Sequence, residues 1–259
     1  MDQPRPSASR EFIATELDLG RSTHWWTQPN MPPPSLQNRK DILWEMKEAK
    51  SGNIVEKTIF ILYIDYSQTI IFARFSTSNV SDIELEQSQE PPPKKLRQDE
   101  LEAAHATFGA RIAKDTESKQ FTVVGDGSPH GLIQELLRPY PDALHPVSTR
   151  VYGALVYANL ANASIQQHDE IRAGDIITFR NGRFEGKHGT MHSKYKLDVG
   201  KPDHVGVIIE WDGSKKKVRV WEQGRESKKV KPESYRLGDL KSGEVRVWRV
   251  MARNWVGWQ

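Results

Sequence analysis

The sequence of 259 residues contains no cysteine. That absence excludes disulfides, a thiolate zinc site and a thiolate nucleophile, and it points mildly to a reducing compartment. No stretch approaches the roughly 20 apolar residues of a membrane span. The start, Met1-Asp2-Gln3-Pro4-Arg5-Pro6, lacks the apolar core of a signal peptide, so the chain reads as neither secreted nor membrane-spanning. A large charge of one sign is also missing. The formal net charge of +3 is too small to indicate a nucleic-acid binder. The apolar fraction, 37%, is slightly low for a globular chain, so some segments should lie outside the core. No internal repeat is visible.

What is present reads as follows. Residues 1–21 form a flexible N-terminal tail, with Phe12, Ile13 and Leu17 as its few apolar side chains, and residues 22–259 form a single domain. Ordered structure begins near Trp25-Trp26. The Pro-rich stretch Pro29 to Pro34 reads as a stiff connection packed on the domain, or as a polyproline ligand for a proline-reading module. Thr58 to Ile64 and Gln68 to Phe75 are rich in β-branched and aromatic residues and flank Asp65-Tyr66-Ser67, which predicts a β-hairpin. Residues 76–96 are polar, end in Pro91-Pro92-Pro93-Lys94-Lys95, and read as a flexible insertion. Leu101, Phe108 and Ile112 share one face of a helix over 99–114. Phe121 to Val124 reads as a short strand, and Ser128 caps a helix through Ile133 and Leu137.

A further helix is predicted over 149–163. Tyr152, Val156, Leu160 and Ala163 make its stripe, Val151 and Leu155 widen it, and Ser148 or Thr149 caps it. Strand signals follow at Asp175 to Phe179, His204 to Trp211, Lys217 to Trp221 and Glu244 to Val250, with a turn at Asp212-Gly213. The layout is α+β. Trp211, Trp221 and Trp248 suit packing on half-buried strands. His188 and His192 are four apart, but Gly182, Gly186 and Gly189 around them speak against a helix, and no acidic residue stands at ligand spacing; no metal site or cofactor is expected. Lys215-Lys216-Lys217 and Lys228-Lys229-Val230-Lys231 read as solvated turns. In a sharper reading they are candidate docking residues for an acidic partner or an anionic lipid.

Three phrases stand in order: Val151-Tyr152-Gly153-Ala154-Leu155-Val156, Gly174-Asp175-Ile176-Ile177-Thr178-Phe179, and Asp203-His204-Val205-Gly206. This order resembles the compact papain-like fold of NlpC-type peptidases and CHAP amidases. The resemblance implies a core helix with a cysteine at its N-terminus, where the helix dipole favours a thiolate, and a histidine base on the facing sheet. His204 matches that histidine, and Glu222 or Gln223 matches its orienting residue. The cysteine position falls at or near Val151, which has nothing to ionise. Ser148 or Thr149 as a substitute nucleophile is the less economical reading, because capping accounts for either hydroxyl.

Both halves together are also similar to a fungal family, the myosin tail region-interacting protein of cortical actin patches and its relatives. The residues that carry this are Thr23-His24-Trp25-Trp26, Arg39-Lys40-Asp41-Ile42-Leu43, Asp65-Tyr66-Ser67-Gln68-Thr69-Ile70, Gly174 to Asn181 and Gly200 to Val205. The resemblance implies an α+β, cysteine-proteinase-like domain with an N-terminal β-hairpin extension that has lost catalysis. It also implies a cytoplasmic role in protein binding at cortical actin patches, with a type I myosin or the actin-nucleation machinery as partners of the full-length protein. A hydrolase or acyltransferase with an unconventional nucleophile is the rival expectation.

Overall fold

A computed structural model describes residues 15–188 and 193–259. Phe12 and Ile13 of the tail, and His192, therefore lie outside the described residues. Two compact units are present, Met1–Pro93 and Lys94–Gln259, where the sequence reading takes 22–259 together.

The first unit is a four-stranded antiparallel sheet in the order β1-β2-β3-β4, with β1 at Ile42–Ser51, β2 at Ile54–Tyr63, β3 at Gln68–Ser76 and β4 at Asn79–Glu90. The expected hairpin is β2–β3, turning at Asp65, whose carboxylate accepts from the backbone N–H of Ser67 at 3.0 Å. One face carries Ile59, Ile61, Ile71, Ala73 and Phe75 into a core closed by Trp25, Trp26 and Leu36. Leu17 and Leu19 pack against that core, and Pro32 and Pro33 are buried. The structure corrects the reading of 76–96 as a flexible insertion: Asn79–Glu90 is strand β4. Its alternation was masked because the inward positions include Gln87 and Gln89 as well as Ile83 and Leu85. Gln87 satisfies its amide by accepting from Leu17 N at 2.9 Å and donating to Leu17 O at 3.0 Å.

The second unit is a seven-stranded antiparallel sheet, β10-β9-β8-β7-β11-β5-β6. Its strands are β5 at Ala154–Leu160, β6 at Ser164–Gln167, β7 at Ile176–His188, β8 at Ser193–Asp212, β9 at Lys217–Glu222, β10 at Lys231–Arg236 and β11 at Leu240–Arg249. Helices α1 (Gln98–Ala104) and α2 (Ala110–Ser118) run on from each other through a π-helical turn, His105–Gly109, and α3 is Pro129–Leu137. Helices α2 and α3 pack on β8. The sheet core gathers Val156, Ile177, Phe179, Phe184, Ile208, Val220, Tyr235 and Val247. Trp221 and Trp248 are buried, and Trp211 packs against the core.

The helix predicted over 149–163 is absent; that stretch enters strand β5. Two physical causes explain the difference. Val156 and Tyr157 are adjacent and both buried. A strand covered on both faces loses its period of two and can be mistaken for a wide helical stripe. Gly153 has φ of 120°, outside any helix, and a Cβ there would lie 2.0 Å from the carbonyl oxygen of Arg249. Gly153→Ala is therefore expected to destabilise the fold by about 1–3 kcal/mol in urea unfolding. Inside a helix the same change would stabilise by about 0.5–1 kcal/mol, so the sign of the effect discriminates.

Candidate functional site

His204 lies on β8 opposite Phe179 of β7, and its ring is 6.2 Å from the Phe179 ring. Glu222 ends β9, opposite Gly206. His204 and Glu222 are therefore diagonal neighbours across two strands, with no side chain at Gly206 to separate them. Nε2 of His204 is 3.0 Å from Oε2 of Glu222, and both side chains are buried. An ionised carboxylate only accepts, so Nε2 carries the proton and donates. The hydroxyl of Tyr235 donates to the same oxygen, and Nε of Arg225 donates to Oε1 at 2.7 Å. Arg225 also pairs with Glu226 and Glu233. Burial pushes the Glu222 carboxyl up, but His204, Tyr235 and Arg225 outweigh burial and hold it below the ordinary glutamate value. Burial, with the Glu222 charge beside it, pushes the Tyr235 phenol well above its ordinary value. This is a buried imidazole–carboxylate pair in which both carboxylate oxygens of Glu222 accept hydrogen bonds.

Gln223, the other sequence candidate, has a different task. Its Nε2 donates to the carbonyls of Val124 and Ser128, both at 2.8 Å, and its Oε1 accepts from Val124 N at 3.2 Å. It thereby fastens the turn before α3 to the end of β9. Next to it, Gly224 has φ of 84°, and a Cβ there would come within 2.5 Å of Pro129 Cδ. The start of α3 is thus pressed onto the strand that carries Glu222.

Helix α3 packs, with α2, on the strand bearing His204, and its first residues lie against the end of β9. It opens Ser128-Pro129-His130. Ser128 is the N-cap, its Oγ accepting from Gly131 N at 2.9 Å. Pro129 suits the first helical position and carries neither an ionisable group nor an N–H. Nδ1 of His130 lies 3.1 Å from the hydroxyl of Tyr152. Burial pulls the His130 imidazole down, against the pull of Asp126.

Val151 does not occupy a helix start, which corrects the expected nucleophile position. It is buried and pairs with Val147 in an isolated antiparallel bridge. Ser148 and Thr149 cap no helix either; Ser148 has φ of 64° and Thr149 Oγ1 donates to Asp203 Oδ2 at 3.1 Å. A helix was expected at 149–163 because the apolar stripe there is wider than that of α3. The signal available in the sequence was the cap: Ser128-Pro129 is a stronger helix start than Ser148-Thr149, since proline favours that first position.

The two lysine runs part company. Lys215 and Lys216 lie in the β8–β9 turn and Lys217 begins β9; Lys215 Nζ donates to Asp212 at 2.9 Å. Lys228 and Lys229 precede β10, Lys231 begins it, and Val123 bridges to Lys229. Among the described residues no group of three or more His, Asp or Glu is placed to hold a metal ion, and no helix is long and apolar enough to cross a membrane. His188 closes β7 in its hairpin with β8.

Sequence reasoning passed over one buried cluster. Arg249 on β11 donates bidentately to Asp175, from Nε at 3.0 Å and Nη2 at 2.9 Å, and also to Asp169. The Gly174-Asp175 phrase was visible, but no spacing rule links it to an arginine more than 70 positions later.

Compared with known proteins, residues 86–259 match a family model described as the AIM3/BBC1 cysteine proteinase-fold domain. An SH3 domain-containing protein of Schizosaccharomyces pombe is 42% identical over 252 residues, which is 96% of this chain and 16% of that protein. The chain thus spans about a sixth of the relative's length. No solved structure matches the chain.

Proposed function

Since the chain belongs to the AIM3/BBC1 family of cysteine proteinase-fold domains, we propose that it is a non-catalytic protein-interaction domain of a cytoplasmic regulator of cortical actin patches and endocytosis. The observation that carries the reading is chemical. His204 keeps its orienting acid Glu222 at 3.0 Å, yet the helix that starts against this sheet opens with a capping serine and a proline, in a chain without cysteine. A base is in place with no thiol for it to activate. The order of α3, then the Gly174-Asp175 strand β7, then His204-Val205-Gly206 on β8 supports the compact NlpC/CHAP-type arrangement. Partners drawn from type I myosin or the actin-nucleation machinery follow from the resemblance of the whole chain to the myosin tail region-interacting proteins. The SH3 domain named in the yeast relative supports a modular binding protein.

The retained His204–Glu222 pair is also what favours the second reading, an acyl-transfer enzyme using a hydroxyl nucleophile. One set of measurements separates them. The purified chain is expected to show no peptidase, amidase or acyl-transfer turnover and no labelling by a serine-reactive fluorophosphonate. As immobilised bait in fungal lysate it is expected to retain cytoskeletal or endocytic proteins. Turnover that disappears in a folded His204→Ala variant would establish the enzyme. Capture of no cytoskeletal or endocytic protein would remove the actin-patch assignment.

A further inference from the structure

After α2 the chain makes a short ladder against the segment leading into β10. Phe121 N donates to Val230 O at 2.8 Å, Val230 N donates to Thr122 O at 2.8 Å, and Val123 faces Lys229 in an antiparallel bridge. The ladder has two unlike sides. Val124 and Val230 are buried and tie it to the unit. Phe121 and Val123 point the other way and are 59% and 51% exposed. Phe121 has φ of 62°. A bulky residue in the left-handed region is an outlier that persists only when its surroundings impose it; its N–H is bound to Val230 and its ring is exposed.

The charges beside these two side chains are cationic, with Glu233 close enough to feel Lys231. Lys228, Lys229 and Lys231 are exposed, and among the described residues none forms an ion pair. The lysine run at the β8–β9 turn differs in its first lysine and in its lack of exposed apolar neighbours. Lys215 is neutralised by Asp212 at 2.9 Å, and no exposed large apolar side chain belongs to that turn. Nor does the cationic ladder border the cavity between β5, β6 and β11, which is lined by Leu155, Ala158, Leu160 and Arg246. It offers protruding apolar groups, Phe121 and Val123.

We propose that Phe121, Val123, Lys228, Lys229 and Lys231 form a docking face for an anionic lipid bilayer. A bound peptide needs a groove to bury its own apolar side chains, whereas a bilayer receives protruding ones. A phenylalanine and a valine reach the headgroup–acyl boundary while lysines flank them with charge at the phosphate level and alkyl stems below. Lys228, Lys229 and Lys231 supply the charge complementarity, each strengthening binding to an anionic surface about fivefold. This attachment is independent of the protein-binding reading above and would place the domain against a membrane whichever protein it binds.

The test is sedimentation of the full chain with vesicles of phosphatidylcholine alone and with phosphatidylserine-rich vesicles, at low and high salt. Wild type is expected to bind the anionic vesicles only, and less at high salt. Lys229→Glu with Lys231→Glu should lower partitioning more than about tenfold. The control Lys215→Glu with Lys216→Glu makes the same change in net charge and should retain most of the binding. Phe121→Asn, a residue that tolerates positive φ, should weaken binding and leave its salt dependence intact. Thermal melts confirm that each variant is folded. The proposal is overturned if wild type ignores anionic vesicles, if the two double reversals weaken binding equally, or if Phe121→Asn binds as wild type does. Binding of polyglutamate through the same residues, without vesicle binding, would assign the face to an acidic protein instead.

Discussion

Arg249→Leu is expected to lower the unfolding free energy by about 3–5 kcal/mol at neutral pH, because it leaves two buried carboxylates without their cation. Arg249 is 1% exposed and so is Asp175, and Asp169 is buried with them. The guanidinium also donates to the carbonyl of Glu170 at 2.9 Å, so one side chain joins the last strand of the sheet to the loop that enters β7. Burial pushes the Asp175 carboxyl above its ordinary 3.8 even with Arg249 beside it. Without the arginine it rises further. A group whose folded pKa is raised favours the folded state below the unfolded value and loses that contribution as pH rises through the folded value. The Arg249→Leu penalty should therefore shrink as pH falls toward 3.8. Adding Asp169→Asn and Asp175→Asn should recover part of the loss at neutral pH, since a buried ion cluster replaced as a whole costs less than one broken. No recovery in urea unfolding would mean that lost packing, not stranded charge, sets the penalty.

This cluster shows where sequence reading stops. Strands with a local signature were legible: β2 and β3 from their β-branched runs, and β7, β8, β9 and β11 from apolar stretches bounded by Gly, Asp and charged turns. Helix α3 was legible from Ser128. The pairing of His204 with Glu222 was legible only through resemblance, because nothing in the spacing of 18 residues says which strands become neighbours. Strand β5 was misread because two-sided burial erases periodicity, and a helix start was therefore expected at Val151 where the structure has none. Strand β4 was missed because its inward glutamines, Gln87 bonded to Leu17 and Gln89 to Gln87, look like loop residues. Phe121 and Val123 read as an ordinary short strand; the structure has only an isolated bridge there, with both side chains exposed.

Glu222→Ala is expected to cost about 3–5 kcal/mol and to change no catalytic property. The size follows from the partners left behind: His204, Tyr235 and Arg225 all donate to this one carboxylate. Removing the acceptor strands a buried imidazole N–H, a phenol and part of a guanidinium. Glu222→Gln should cost less, since an amide oxygen still accepts, but its NH2 group meets donors where a second carboxylate oxygen stood. The pH dependence separates charge from shape. Glu222 is held below its ordinary 4.5 in the folded chain. The stability it confers is therefore complete above 4.5 and is lost as pH falls below that value through the lower folded pKa. The gap between wild type and Glu222→Gln should be widest near neutrality and should narrow below pH 4.5. In an active papain-like enzyme the orienting acid positions the base for catalysis; here the same contact is expected to be a structural clasp between β8, β9 and β10. A gap that stays constant with pH would show that the carboxylate charge contributes nothing to the clasp. A Glu222 variant that unfolds at the wild-type urea midpoint would show that the dyad is not what holds these strands together.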